Sequence, residues 1–328
     1  MTEEPTEYQS EIQPQHASRI FQSIRAELRK VFIGQDDVAG QVLAALLAGG
    51  HVLLEGKPGL GKTHLVLALA RTFGGAFGRI QFTPDLMPPD VTGFRLYDMK
   101  SQSFELRKGP VFTNLLLADE INRAPAKTQA SLLEVMQERQ VTIDGETMKL
   151  SPPFMTLATQ NPVEHEGTYP LPEAQLDRFL MKIVIDYPGV IDEAAIVAMA
   201  SSVQQADSLS ELQVICSVED IVNAQQETAT VRAVPELVSY AVAMVRATRD
   251  SRAVSLGAGT RGAISLMRVG KAVAVMNGRN YVTPDDIKAV ALPVLRHRVQ
   301  LTPEVAISGQ EVDDILRGII EAVPAPRI

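Results

Sequence analysis

Eight consecutive residues near the start of the chain have the types and spacing of a phosphate-binding loop. The segment Gly56-Lys57-Pro58-Gly59-Leu60-Gly61-Lys62-Thr63, followed by His64, matches the pattern G-x-x-x-x-G-K-[ST]. Its glycines let the backbone curl, so that successive N–H groups point at phosphate oxygens. Lys62 is expected to reach the β- and γ-phosphates, and the hydroxyl of Thr63 to bind Mg²⁺. The segment therefore predicts a site for nucleotide phosphates.

Two adjacent acids follow an apolar strand further along the chain. Residues 115–118 are Leu-Leu-Leu-Ala, and Asp119 and Glu120 come directly after them. At the carboxyl end of a parallel strand, Asp119 could hold Mg²⁺ through water, and Glu120 could deprotonate an attacking water. The alternative is a strand that simply ends in solvent. The phosphate loop upstream favours hydrolysis.

Three further polar residues are candidates for contact with the γ-phosphate. Asn161 ends another apolar strand, and could either bind this phosphate or form a plain turn. Arg178 precedes the last core strand, where it could reach a neighbouring subunit's phosphates or pair with Asp177 or Glu173. Arg261 is expected in the first turn of a helix, where its charge opposes the helix dipole. That position favours an external anion, with a surface arginine as the alternative.

The elements that must position these residues alternate between strand and helix as far as residue 187. This alternation predicts an α/β fold with a doubly wound parallel sheet. Hairpins are expected at residues 94–107 and 141–150, the second with Asp144-Gly145 at its turn. We divide the chain into a disordered lead (1–16), an α/β nucleotide-binding core (17–187) and an all-helical lid (188–328).

Composition restricts the class of protein. The chain has 328 residues, a formal charge of −8 and one cysteine, Cys216. A disulfide framework within the chain and a cysteine-rich zinc site are therefore excluded. The five histidines have no metal-ligand spacing, and we find no signal peptide and no segment apolar enough to span a bilayer. We expect a cytoplasmic protein without membrane insertion.

Several long blocks, in a fixed order, resemble the AAA+ ATPases and, more narrowly, the MoxR family. These blocks cover residues 82–86, 117–125, 158–162, 171–179 and 257–261, with Thr-Pro-Asp-Asp at 283–286. The resemblance implies ATP and Mg²⁺ as ligands of the Walker A loop (Gly56 to Thr63), with Asp119 and Glu120 as the Walker B acids.

The same resemblance assigns the remaining candidates. It makes Asn161 similar to sensor 1, Arg178 to an arginine finger acting on the next subunit, and Arg261 to sensor 2. It also implies that Ile33-Gly34-Gln35 packs against adenine. The family usually reads Ser-Pro-Arg-Ala at sensor 2, whereas this chain reads Gly-Thr-Arg-Gly at residues 259–262. Other arginines that could touch a nucleotide are Arg123, Arg296 and Arg298.

The family further implies a homo-hexameric ring that remodels protein clients or assembles metal centres and complexes. It also implies a separate von Willebrand factor A domain protein as partner. One alternative is a DNA-engaged ring motor, but the acidic chain and hairpin tips argue against a nucleic-acid partner. Another is a nucleotide-dependent scaffold with little turnover, which the presence of Glu120 and Arg178 disfavours.

Overall fold

The computed structural model of the chain describes residues 15–57, 59–161, 168–201 and 209–327. The predicted disordered lead lies outside the described residues up to residue 14, and Pro58 of the phosphate loop also lies outside them. The first helix begins at Gln15, two residues before the expected start of the core.

The strands form one central sheet, two hairpins and a short ribbon. In chain order they are β1 (Val52–Gly56), β2 (Phe77–Gln81), β3 (Gly93–Asp98), β4 (Ser103–Lys108), β5 (Leu115–Asp119), β6 (Gln140–Ile143), β7 (Glu146–Lys149), β8 (Met155–Gln160), β9 (Met181–Ile185), β10 (Val254–Leu256) and β11 (Gln300–Leu301).

The helices surround the sheet and build the second half of the chain. In chain order they are α1 (Gln15–Val31), α2 (Asp36–Leu47), α3 (Lys62–Thr72), α4 (Pro88–Thr92), α5 (Ala126–Glu138), α6 (Glu173–Leu176), α7 (Val190–Ser201), α8 (Val218–Thr230), α9 (Pro235–Asp250), α10 (Thr260–Met276), α11 (Pro284–Ala289), α12 (Ala291–Leu295), α13 (Pro303–Ile307) and α14 (Val312–Ala322).

The central sheet has five parallel strands in the order β2-β5-β8-β1-β9. Its inner strands are continuous apolar runs buried on both faces, as expected for a parallel sheet covered by helices. The order confirms the predicted doubly wound α/β core. It brings the carboxyl ends of β1, β5 and β8 side by side, because these three strands are neighbours.

Both predicted hairpins are present as antiparallel pairs, β3 with β4 and β6 with β7. The second turns at Asp144 (φ 50°) and Gly145 (φ 81°), two left-handed residues as the Asp-Gly sequence predicts. An ion pair between Arg95 of β3 and Glu146 of β7 joins one hairpin to the other.

The second half of the chain is a helical lid, as predicted. Ser217 caps α8 and Thr283 caps α11, each hydroxyl accepting from the N–H group three residues later. The lid also contains the short antiparallel ribbon β10–β11, which sequence patterning did not indicate.

One hydrophobic cluster joins the sheet to the lid, with α1 and α2 packed between them. A second cluster lies between the other face of the sheet, α5 and the β6–β7 hairpin. Within the part of the chain that the structure describes, no helix combines the length and the apolar character needed to cross a bilayer.

Candidate active site

The phosphate loop connects β1 to α3, and two of its glycines have backbone angles that favour glycine. Gly59 (φ 84°) and Gly61 (φ 74°) are both left-handed. A β-carbon added to Gly59 would have no atom within 4 Å, so the loop is open at this point. It borders a cleft of about 470 Å³. The cleft is lined by Gly59, Leu60, Gly61, Lys62, Thr63, His64, Leu67, Asp119, Glu120, Thr159 and Asn161.

Lys62 is the first residue of α3, and its ammonium group donates to the carbonyl oxygen of Gly56 inside the loop. Burial lowers the pKa of Lys62, while the carboxylates of Asp119, Glu120 and Glu55 raise it. A cation in a half-buried cleft beside two acids is suited to a polyanion that carries its own divalent cation.

Asp119 lies at the end of β5 and is held by two donors. Its Oδ1 accepts from the hydroxyl of Thr159 at 2.6 Å, and its Oδ2 from the guanidinium of Arg79 at 2.8 Å. The Thr159 oxygen also accepts from the backbone N–H of Glu120 at 2.8 Å. One hydroxyl on β8 thus fixes the end of β5 at the position of both acids.

Glu120 has a left-handed backbone (φ 55°), a conformation that is uncommon for a residue with a side chain. Its Oε2 accepts from the amide of Gln81 at 2.9 Å and from the guanidinium of Arg123 at 2.8 Å. Gln81 ends β2, which pairs in register with β5. Arg123, left open by the sequence, therefore contacts the acid of the site.

The cleft can accommodate a magnesium ion that arrives with phosphates. The described residues contain no cluster of three or more His, Cys, Asp or Glu side chains able to hold a metal alone. Asp119 and Thr63 nevertheless line the same cleft. This small set of ligands suits Mg²⁺, which keeps several waters and takes its remaining ligands from substrate phosphates.

The segment Ile33-Gly34-Gln35 packs against the β9–α7 connection and the first turn of α7. Gly34 is left-handed (φ 76°), and a β-carbon there would approach Asp192 to 2.5 Å. The amide nitrogen of Gln35 donates to the carbonyl oxygen of Asp186 at 3.1 Å. Its buried Oε1 has no partner among the described residues, so it could accept from a donor such as the amino group of adenine.

Lys57 of the phosphate loop also approaches the β9–α7 connection. Its ammonium group lies 4.8 Å from the centroid of the Tyr187 ring. The loop and the connection are therefore in direct contact beside the Ile33-Gly34-Gln35 segment.

Arg178 and Arg261 line a different cleft, of about 420 Å³, that shares no lining residue with the phosphate cleft. Asp177 forms ion pairs with Arg298 at 2.8 Å and with Arg261 at 3.5 Å. Glu173 accepts from Gln300. Among the described residues, no carboxylate pairs with Arg178, so the alternative of an ion pair with Asp177 or Glu173 is not supported.

The two clefts lie at opposite ends of the central sheet. Strands β1 and β9 are parallel, with Val52 paired to Met181 and Gly56 to Ile185. The phosphate loop follows Gly56, whereas Arg178 precedes Met181. The end of β1 at Gly56 lies four residues along the strand direction from the start of β9 at Met181, which is roughly 13 Å at the usual rise per residue. The structure brings neither Arg178 nor Arg261 to the chain's own phosphate loop.

The structure adds residues that sequence reasoning did not single out and locates two that it left open. Thr159, Arg79 and Gln81 contact the two acids. Gln81 and Thr159 lie at or next to a strand end, which could have indicated them, whereas Arg79 lies in the middle of β2. Arg296 pairs with Asp313 at 2.7 Å in the lid. Arg298 is buried beside Asp177, so neither of these last two arginines lines the phosphate cleft.

Comparison with known proteins agrees with this geometry. Residues 51–181 match the model of the ATPase family associated with various cellular activities (AAA), and residues 246–319 match an AAA lid domain. The chain is 42% identical to Chaperone MoxR1 of Mycobacterium tuberculosis, over 92% of this chain and 81% of that protein. It is 34% identical to Protein MoxR of Methylorubrum extorquens, over 92% and 93%. The chain belongs to the MoxR family of AAA+ ATPases.

Two further proteins are similar to this MoxR-family chain over nearly its whole length. The uncharacterized protein YeaC of Bacillus subtilis is 48% identical over 91% of this chain and 92% of its own length. A crystal structure of a protein described as an ATPase from Cytophaga hutchinsonii superposes with a TM-score of 0.89 at 42% identity. It covers 96% of this chain and 97% of that one. This MoxR-family protein is accordingly an ATP hydrolase that binds nucleotide.

Proposed function

We propose that the protein is a Mg²⁺-dependent ATPase that works as a homo-hexameric ring and remodels protein clients, in the manner of a chaperone. In each ring interface, Arg178 and Arg261 of one subunit act on the phosphates bound by the next. The observation that carries this proposal is the separation of the two clefts. The arginines lie together at the end of the sheet opposite the phosphate loop.

Within one subunit, the phosphate cleft supplies binding and proton transfer. The loop N–H groups and Lys62 bind the β- and γ-phosphates, with Thr63 and Asp119 as the residues that hold Mg²⁺. The ion neutralises phosphate charge when it is bound. Glu120 accepts the proton of the attacking water, and Asn161 orients that water or the γ-phosphate. An arginine from outside then stabilises the charge that develops during transfer.

A protein client is supported by the exposed side chains of the β3–β4 hairpin. Its exposed apolar residues are Phe94, Leu96, Tyr97, Met99 and Phe104. Apolar groups presented to solvent in one patch are typical of a surface that binds a protein partner. The name of one relative, Chaperone MoxR1, agrees with this role. We further propose a cytoplasmic location and a separate von Willebrand factor A domain partner.

The test is the steady-state ATPase rate per chain as a function of protein concentration, for wild type and for Arg178→Ala. Specific activity should rise with concentration, and small amounts of the mutant should inhibit the wild type. A flat specific activity, together with normal turnover by Arg178→Ala, would refute the shared site.

A further inference from the structure

Arg298 is an almost fully buried arginine between the lid and the loop that carries Arg178. It follows α12, and its side chain is only 2% exposed. A buried guanidinium must satisfy its donors with protein acceptors, because an unpaired buried charge is strongly destabilising. The identity of those acceptors therefore indicates what this residue holds together.

Most of its acceptors belong to residues 177–180, which we call the finger loop. Arg298 donates from Nε to Oδ1 of Asp177 at 2.8 Å and from Nη2 to the carbonyl oxygen of Phe179 at 2.6 Å. Its Nη1 donates to the carbonyl oxygen of Leu180 at 3.3 Å. The backbone is thus fixed immediately before and immediately after Arg178.

The remaining acceptors lie on two helices of the lid. Arg298 also donates to the hydroxyl of Ser265 on α10 at 3.3 Å and to the carbonyl oxygen of Val294 on α12. Because α10 also carries Arg261, one guanidinium connects the loop of Arg178 with the helix of Arg261. Asp177 strengthens the connection, since its carboxylate pairs with Arg298 and with Arg261.

We propose that Arg298 is a positioning residue for the site shared between subunits. It fixes the finger loop to α10, so that Arg178 and Arg261 are presented to the neighbouring phosphates as one unit. The inference rests on the proposed function, because it requires that Arg178 acts in a neighbour. It adds that the lid controls the position of the finger through a residue that contacts no nucleotide.

The planar guanidinium is essential to this role. It has five donors in a fixed fork, whereas a lysine ammonium has three donors on a flexible stem and cannot reach acceptors on three segments together. Arg298→Lys keeps the charge and removes the fork. Asp177→Asn, at a partly exposed position, removes the charge that pairs with Arg298 and Arg261 and weakens the same connection from the opposite side, with less disturbance of the interior.

A control with the same chemistry exists elsewhere in the lid. Arg279 forms two hydrogen bonds with the buried carboxylate of Asp286, at 2.7 and 2.6 Å, and contacts no residue of the finger loop. Arg279→Lys therefore removes a comparable fork from the lid and leaves the finger loop intact.

The experiment is complementation between two defective subunits. The Glu120→Gln subunit has an intact finger loop but a phosphate cleft without its base. The Arg298→Lys subunit has an intact phosphate cleft but a displaced finger loop. Alone, Arg298→Lys and Asp177→Asn should lose about 10- to 100-fold in kcat, as expected for a misplaced catalytic group, with the KM for ATP nearly unchanged. Mixed with excess Glu120→Gln, each should regain several-fold activity per active cleft.

Arg178→Ala mixed with Glu120→Gln separates the two proposals. If Arg178→Ala is rescued and neither Arg298→Lys nor Asp177→Asn is, the inference about Arg298 is overturned and the shared site stands. If Arg178→Ala is not rescued, the shared site itself is refuted, and the inference with it. A wild-type kcat in Arg298→Lys would also overturn the inference about Arg298. So would a loss of kcat in Arg279→Lys that Glu120→Gln rescues to the same extent.

Discussion

Thr159 donates its hydroxyl proton to Oδ1 of Asp119 across 2.6 Å. The same oxygen accepts the backbone N–H of Glu120 at 2.8 Å, so a neutral side chain on β8 holds both Asp119, the last residue of β5, and the following Glu120 in place. Neither acid can change its backbone position without breaking one of these bonds.

Thr159→Val should lower kcat about tenfold and destabilise the fold by about 1–3 kcal/mol. Valine has the same shape but leaves the N–H of Glu120 and an oxygen of Asp119 without their partner, which carries a desolvation cost of that size. Steady-state ATPase rates and urea unfolding would measure the two effects.

Thr156→Val on the same strand is the matched control. Thr156 is fully buried, and its hydroxyl oxygen has no hydrogen-bond partner among the described residues. Replacing it removes an unsatisfied polar group, so stability should stay equal or rise. If Thr159→Val and Thr156→Val lose equal amounts of activity and stability, the losses come from disturbing the interior of the strand and not from the contact with the acids.

Glu120→Gln should bind ATP with nearly wild-type affinity and hydrolyse it at least about 100-fold more slowly, because glutamine cannot accept the proton of water. Lys62→Ala should fail to bind ATP, since the cleft loses its phosphate-binding cation. Titration with a fluorescent ATP analogue, followed by single-turnover hydrolysis, distinguishes the two. Wild-type turnover in Glu120→Gln would eliminate it as the base.

Arg79→Met should lower the Mg²⁺ concentration for half-maximal ATPase activity about two- to fivefold, the range of a partly exposed ion pair. The guanidinium of Arg79 neutralises Asp119 at 2.8 Å, and it therefore competes with the metal for that carboxylate. A magnesium titration at saturating ATP is the measurement. Arg71→Met, which removes the same charge from the last turn of α3, should leave the value unchanged. A higher magnesium requirement in Arg79→Met would contradict the competition.

His51 should make the fold sensitive to mild acid. Burial lowers the pKa of His51 to about 4 from 6.5. Its Nδ1 accepts from the N–H of Thr156 at 2.9 Å, a bond that requires the unprotonated nitrogen. The unfolded chain binds this proton first as pH falls. The contribution of His51 to the free energy of unfolding is therefore complete above about pH 6.5 and is lost progressively as the pH falls towards 4.

Urea unfolding at pH 7.5 and pH 5.0 would measure this effect. Between these values, wild type should lose about 2 kcal/mol more than His51→Gln, since each pH unit below the unfolded pKa is worth about 1.4 kcal/mol. Other titrating groups, including His297, are present in both proteins and largely cancel in the difference. Equal losses in the two proteins would exclude His51 as the sensitive group.

The sequence predicted the sheet and the phosphate cleft because those features depend on local patterns. Gly56 to Thr63 carry their own backbone requirements, and the apolar run before Asp119 specifies a buried parallel strand. The Asp144-Gly145 turn needed no tertiary information either.

The residues that sequence reasoning did not find act through tertiary register. Gln81 and Arg79 reach the acids only because β2 pairs with β5 in a register that places Gln81 opposite Asp119. Arg298 carries a charge that a sequence scan reads as a surface or nucleotide-binding group, yet it is buried among backbone carbonyls. The pairing of two core strands decides the first case and the packing of the lid on the core decides the second, and no periodicity in the chain encodes either.

The separation of the two clefts along the sheet gives each subunit a direction. One end offers a phosphate site and the other offers arginines, so the shared site that we propose requires head-to-tail contacts between copies. A two-fold dimer would have to bring both ends onto one surface. Any open row of subunits would leave one terminal phosphate cleft without arginines, whatever its length. Under the proposed function, closing the row is the only arrangement that supplies every phosphate cleft with a neighbour's arginines, and a rotation that failed to close would give a filament with one cleft left incomplete.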